Sequence, residues 1–131
     1  MACYTPISGY RARLGGFAQA RSAAYVDQPM VVPCGQCIGC RLEQCRQWAM
    51  RCMHEAQMHD ENCFITLTYD NEWLPRDRSL DHRHFQLFMK RLRKKYGSGI
   101  RFFMSGEYGE STNRPHYHAI IFGHDFEDKK Y

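Results

Sequence analysis

The sequence predicts an α+β fold: an antiparallel β-sheet with helices packed on one face, preceded by a cysteine-rich N-terminal extension. Three observations carry this. Residues 41–58, "RLEQCRQWAMRCMHEAQM", lack Gly and Pro and set Leu42, Cys45, Ala49, Cys52, Met53 and Ala56 on one helical stripe. Residues 63–70, "CFITLTYD", alternate and are rich in β-branched and aromatic side chains, as strands are. Two more strand-like stretches, "IRFFMSGEYG" (100–109) and "HYHAIIFG" (116–123), are joined by a short polar loop, the signature of an antiparallel hairpin.

In chain order, residues 1–33 read as irregular, punctuated by Pro6, Gly9, Gly15, Gly16, Pro29 and Pro33, with a short strand at 30–32, "MVV". "CGQCIGC" (34–40) reads as a tight loop because glycines separate its cysteines. The helix over 41–58 follows and ends at "HDEN". After the strand and the loop "NEWLPRDRS", a second helix opens with Ser79 or Asp81 as N-cap and runs to Tyr96, with Gly97 as its stop. Phe85, Phe88, Met89, Leu92 and Tyr96 form its apolar stripe. The expected order is helix, strand, helix, strand, strand.

A chain of 131 residues suits a single domain. Within it, 1–40 reads as the extension, 41–123 as the core and 124–131 as a tail. Hydrophobic content of 44% with 14% aromatics excludes a disordered chain. The sequence holds no membrane-length apolar run and no signal-peptide pattern, so a soluble, cytoplasmic protein without a membrane partner is expected. The formal charge is +4, and Arg83, Lys90, Arg91, Arg93, Lys94, Lys95 and Arg101 lie in a stretch without an acid. That face suits a polyanion, above all nucleic acid.

Residues i and i+2 of a strand share a face, so His116 and His118 present two imidazoles side by side. Imidazole pairs of this kind ligate divalent first-row metals. A hairpin closing over 108–115 brings Glu107 beside His116 as a third ligand, with open positions left for chemistry. Seven cysteines in a cytoplasmic chain read as thiolates rather than disulfides. Cys34, Cys37 and Cys40 have C-x₂-C-x₂-C spacing and suit tetrahedral Zn²⁺. Cys3 and Cys45 compete for the fourth position; Cys45 belongs to the helix stripe, so Cys3 is the expected ligand. An iron–sulfur cluster is the rival, although the gap to Cys45 is longer than in the ferredoxin run. Cys52 and Cys63 read as small buried hydrophobes.

"RPHYHAIIFG" resembles the His–hydrophobic–His motif of HUH endonucleases, with Tyr117 in the middle, and "FITLTYD" resembles the first motif of that group. "MSGEYGESTNRPHYH" and "VPCGQCIGCRLEQCRQWAMRC" are similar to the rolling-circle replication initiators of microviruses, small single-stranded DNA phages. These stretches belong to a resemblance that covers residues 1–123. It implies a ferredoxin-like HUH fold, incomplete at the C-terminus, acting in the cytoplasm of a host bacterial cell. It implies Mg²⁺ or Mn²⁺ at His116, His118 and Glu107, and a tyrosine that attacks single-stranded DNA at the viral origin, leaving a 5′-phosphotyrosine and a free 3′-hydroxyl. Host replication proteins are further partners. In such initiators the tyrosine follows the histidine strand on a helix. Only Tyr131 follows Gly123 here, in too short a segment, and Tyr117 points to the opposite face. The nucleophile is therefore expected beyond this chain, as in an N-terminal part of a longer initiator or a naturally shortened one.

Thr66, Thr68, Lys90, Arg91, Lys94, Lys95 and Arg114 are the expected DNA contacts, with Tyr69, Tyr108 and Tyr117 as stacking platforms. Two other function classes fit the same residues: a non-catalytic, zinc-stabilised single-stranded DNA-binding protein, and a small metal hydrolase unrelated to nucleic acid. The basic helix argues against the latter.

Overall fold

A computed structural model describes residues 3–128. The chain divides into two compact units, Met1–Arg51 and Cys52–Tyr131. Among the described residues the elements form two three-stranded antiparallel sheets and two α-helices, an α+β composition. No helix among them is long and apolar enough to cross a membrane.

The first unit holds β1 (Ile7–Ala12), β2 (Phe17–Ala18) and β3 (Ala24–Val32), in the order β2-β1-β3. This corrects the expectation of an irregular N-terminus with a strand at 30–32 alone. β3 escapes a periodicity reading because it is exposed along most of its length, so its faces do not alternate in polarity. It also contains Pro29, which an edge strand tolerates. Gly15 and Gly16 take positive φ (93° and 83°) in the turn between β1 and β2, a conformation that L side chains resist. Gly9 lies under the Phe17 ring, where any side chain would collide.

The first helix, α1 (Ile38–Gln57), begins three residues earlier than its periodicity predicts. Cys40 therefore sits in its first turn, not in a loop. The predicted stripe is not a core face either: Leu42, Cys45, Ala49 and Met53 are exposed, while Cys52 and Ala56 are half-buried. An apolar period records what a helix is able to bury, and burial itself depends on a neighbour that sequence spacing does not supply.

The second unit holds β4 (Asn62–Thr68), α2 (His82–Tyr96), β5 (Arg101–Tyr108) and β6 (Pro115–Phe122). Sheet order is β4-β6-β5, so the last strand in sequence is the central one. On one face, Phe85, Met89 and Leu92 of α2 pack with Ile100 and with Tyr117, Ala119 and Ile121 of β6. Fully burying such side chains contributes about 1.5–3 kcal/mol each. Asp81 rather than Ser79 caps α2, its carboxylate accepting from Arg83 N at 2.9 Å. Gly97 closes the helix at φ 119°, its N–H donating to Arg93 O at 2.9 Å. Tyr96 is not in the core; its half-exposed ring packs on His124 at 4.2 Å between centroids.

The expectation of helices on one face holds for α2 only. By strand parity Phe122 and Arg101 face the other way, and there the last turns of α1 meet them. Glu55 pairs with Arg101 at 3.0 Å and the His59 ring stacks on Phe122 at 6.2 Å. Asn62 Nδ2 donates to Ala56 O at 3.0 Å, joining the end of α1 to the start of β4.

Candidate metal centre

The sheet face opposite α2 carries the histidines. Directly paired residues of antiparallel strands share a face, and the register pairs Thr66 with His118, Thr68 with His116, Ser105 with His118, and Glu107 with His116. Central β6 thus holds both imidazoles, β5 adds a carboxylate, and β4 adds hydroxyls.

The ligand-capable atoms of Glu107, His116 and His118 all lie within 4.8 Å of one another. Glu107 Oε2 is 3.3 Å from His118 Nε2 and 3.8 Å from His116 Nε2. Neighbouring donors around an octahedral ion at about 2.1 Å sit about 3 Å apart. The half-exposed Glu107 side chain closes that gap by a small rotation. The rings stand nearly perpendicular, 88° apart with centroids at 4.9 Å.

Each ring is held from behind. His116 Nδ1 lies 3.2 Å from Arg114 O. A carbonyl only accepts, so Nδ1 carries the proton and Nε2 keeps its lone pair for a metal. His118 Nδ1 lies 2.9 Å from Thr66 Oγ1, and Phe64 stacks on the same ring at 5.6 Å. Ser105, opposite His118, escaped the sequence reading because only the β5–β6 register reveals it.

Tyr117 projects through the sheet to the α2 side. Its hydroxyl donates to Asp81 O at 2.7 Å and accepts from Asp81 N at 2.9 Å, and the residue is 4% exposed. It neither reaches the histidine face nor stacks on a base. Tyr69 is half-buried on the same side, bonded to Tyr117 OH at 3.0 Å, and Tyr108 OH accepts from Leu80 N at 3.0 Å. Tyr131 lies outside the described residues.

Arg114, expected on DNA, is engaged within the protein: Nη1 donates to Asn71 Oδ1 at 2.7 Å and Nη2 to Tyr69 O. Lys90, Arg91, Lys94 and Lys95 are on α2, across the sheet from the histidines. Sequence adjacency hid this separation, because the helix covers one face and the site occupies the other.

A second cluster lies wholly within the first unit. The Sγ atoms of Cys3, Cys34, Cys37 and Cys40 are within 4.8 Å of one another, and all four are free thiols. Cys3 is 3.7 Å from Cys34 and 3.9 Å from Cys37. A tetrahedron of thiolates around zinc, with Zn–S of about 2.3 Å, requires S–S separations of about 3.8 Å. Cys45 is exposed and outside the cluster. The Thr5 hydroxyl, with the backbone N–H groups of Cys37 and Gln36, pulls the Cys34 thiol down to about 6. The Tyr4 N–H lowers Cys37, while burial pushes Cys40 up to about 12. Thr5 gave no sequence signal, since it adjoins Cys34 only after β1 has folded back along β3.

The model of the family described as replication-associated protein ORF2 matches residues 62–131. The chain is 39% identical over 139 residues to replication-associated protein VP4 of Bdellovibrio phage phiMH2K, covering 99% of this chain and 44% of that protein. It is 37% identical over 114 residues to replication-associated protein ORF4 of Chlamydia phage 1, covering 84% of this chain and 27% of the relative. With replication-associated protein ORF2 of Spiroplasma virus 4 it shares 36% over 106 residues, covering 74% and 33%. The chain therefore spans less than half the length of each of these relatives. No solved structure matches it.

Proposed function

The chain belongs to the replication-associated protein ORF2 family, and from that membership we propose that it is the metal-binding part of an HUH-type, metal-dependent single-stranded DNA endonuclease and strand transferase that initiates rolling-circle replication of a phage genome. The observation that carries this reading is the meeting of Glu107, His116 and His118 within 4.8 Å on an open sheet face. A divalent ion such as Mg²⁺ or Mn²⁺ at these donors supplies a Lewis acid that offsets charge developing on a scissile phosphate.

The chain's own residues do the rest of the positioning. Arg114 O holds the proton on His116 Nδ1, and Thr66 orients His118. Thr68, on the same face, is placed to donate to a phosphate oxygen. In the covalent step a tyrosine oxygen bonds to phosphorus as the bond to the 3′-oxygen breaks, leaving a 5′-phosphotyrosine and a 3′-hydroxyl. Tyr117 is excluded from that role by its buried position and its bonds to Asp81. The nucleophile thus lies outside residues 3–128. Zn²⁺ at Cys3, Cys34, Cys37 and Cys40 would act structurally, tying the N-terminal segment to the start of α1.

Labelled single-stranded DNA incubated with the protein and Mn²⁺, then run on a denaturing gel, tests the reading. A covalent adduct that disappears in His116→Ala supports it. DNA retardation without an adduct supports a zinc-stabilised binding protein, the second reading, which the engaged Tyr117 hydroxyl favours for this stretch of chain. Neither adduct nor retardation overturns both.

A further inference from the structure

On the α2 side of the second unit, Tyr69, Trp73, His84, Leu87 and Arg91 line a cavity of about 380 Å³. His84, Leu87 and Arg91 recur at three and four residues, one flank of α2. Trp73 ends a single 3₁₀ turn, Asn71–Trp73, just past β4. We propose that this cavity is a second nucleotide site, in which an unpaired DNA base stacks on Trp73 while Arg91 holds the adjoining phosphate. The proposal rests on the single-stranded DNA reading above and extends it to the far side of the sheet.

The walls are fixed before any ligand arrives. Tyr117 has one hydroxyl proton and gives it to Asp81 O. Tyr69, 3.0 Å from Tyr117 OH, therefore donates to it and accepts from His84 Nδ1–H at 2.8 Å. Burial pushes the Tyr69 hydroxyl up, so it stays protonated and the chain of bonds persists. Asp70 caps the 3₁₀ turn by accepting from Glu72 N at 3.4 Å, and Trp73 N donates to Asp70 O at 3.1 Å. Arg114 grips the same loop through Asn71 and Tyr69.

Against this rigid frame two groups are unspent. Trp73 is 77% exposed, and its ring has no ring partner among the described residues. Arg91 makes no ion pair among the described residues, and no carboxylate lines the cavity; the nearest acid, Asp81, lies 3.6 Å from His84 Nε2. An exposed indole beside an unpaired guanidinium is the combination that takes a base and its phosphate together. Neighbouring Lys90 and Lys94 extend the positive surface along α2.

Position supplies the second argument. Thr68 faces the histidines and Tyr69, the next residue, lines the cavity. A strand leaving the metal face over the end of β4 meets Trp73 first and the basic flank of α2 next. The cavity thus joins two features that lie on opposite faces of the sheet.

Trp48→Phe leaves Trp73 as the sole indole and makes the site directly visible. Titration of the 131-residue chain with a short unstructured oligothymidylate should quench and shift that emission. Trp73→Ala and Arg91→Ala should each weaken oligonucleotide affinity about tenfold, with Mn²⁺ affinity at the triad unchanged. Oligonucleotide binding that leaves the emission and the Trp73→Ala affinity unaltered overturns the cavity site while the nucleic-acid reading stands. An equal response to a duplex of the same sequence overturns the unpaired-base claim. No binding by the unaltered chain sinks the nucleic-acid reading and the cavity with it.

Discussion

One carbonyl decides the chemistry of His116. Because Arg114 O accepts from Nδ1, the ring presents Nε2 to the shared pocket in the neutral state. Thr66 bonds His118 similarly through a hydroxyl. Thr66→Val keeps the shape and removes that bond, so Mn²⁺ affinity should fall about 10- to 100-fold by calorimetry while the melting temperature moves little. Tyr117→Phe is the opposite experiment. It strands a buried N–H and C=O at Asp81 and should cost about 1–3 kcal/mol in a urea melt, yet leave any DNA adduct intact. Loss of the adduct in a folded Tyr117→Phe protein would reinstate that tyrosine as nucleophile.

Elements differ in how far their sequences disclose them. α2 was legible because its apolar stripe and its burial coincide: Phe85, Met89 and Leu92 face a sheet, and Asp81 and Gly97 mark its ends. Met89→Ala should cost about 2–5 kcal/mol, and Asp81→Ala about 1 kcal/mol through the lost cap, both readable in denaturant melts. α1 shows the same period without the burial, and its exposed turns are held by local pairs. The Arg46 guanidinium, then Gln47, hold the Glu43 carboxyl down to about 2, below its ordinary 4.5. A depressed carboxyl stabilises the folded state fully above 4.5 and loses that contribution as pH falls through 2. Acid titration followed by circular dichroism should show α1 helicity declining in that window, and Glu43→Gln should abolish the decline. β3 was almost illegible, since a strand exposed on both faces has no alternation to read.

At the scale of the whole molecule, the two candidate metal centres belong to different compact units, which predicts separable responses to metal loss. Stripping the Cys3–Cys34–Cys37–Cys40 centre with a chelator, or Cys37→Ser, should lower the melting temperature of the first unit by at least about 10 °C. Mn²⁺ binding at Glu107, His116 and His118 should survive Cys37→Ser. Binding to DNA should weaken steeply with salt, as counterion release demands of a lysine- and arginine-rich contact; Lys90→Ala with Lys94→Ala should flatten the slope by up to about 2. The family match begins at residue 62, where β4 starts, so the sheet that bears the histidines lies inside the shared region.

Local periodicity needs no partner, and what it governs was decided by the amino-acid order alone. His116 and His118 share a face because strands repeat every two residues. Three cysteines at C-x₂-C-x₂-C spacing converge for a similar reason, because the backbone between them is too short to part them. Pairing register and layer order are set by contacts distant in sequence, and only the folded molecule decides them. A one-residue slip of β5 would have turned Glu107 away from His116. The packing of α2 sends the lysines to the far side of the sheet and leaves Trp73 and Arg91 facing one cavity, a juxtaposition that no spacing along the chain encodes.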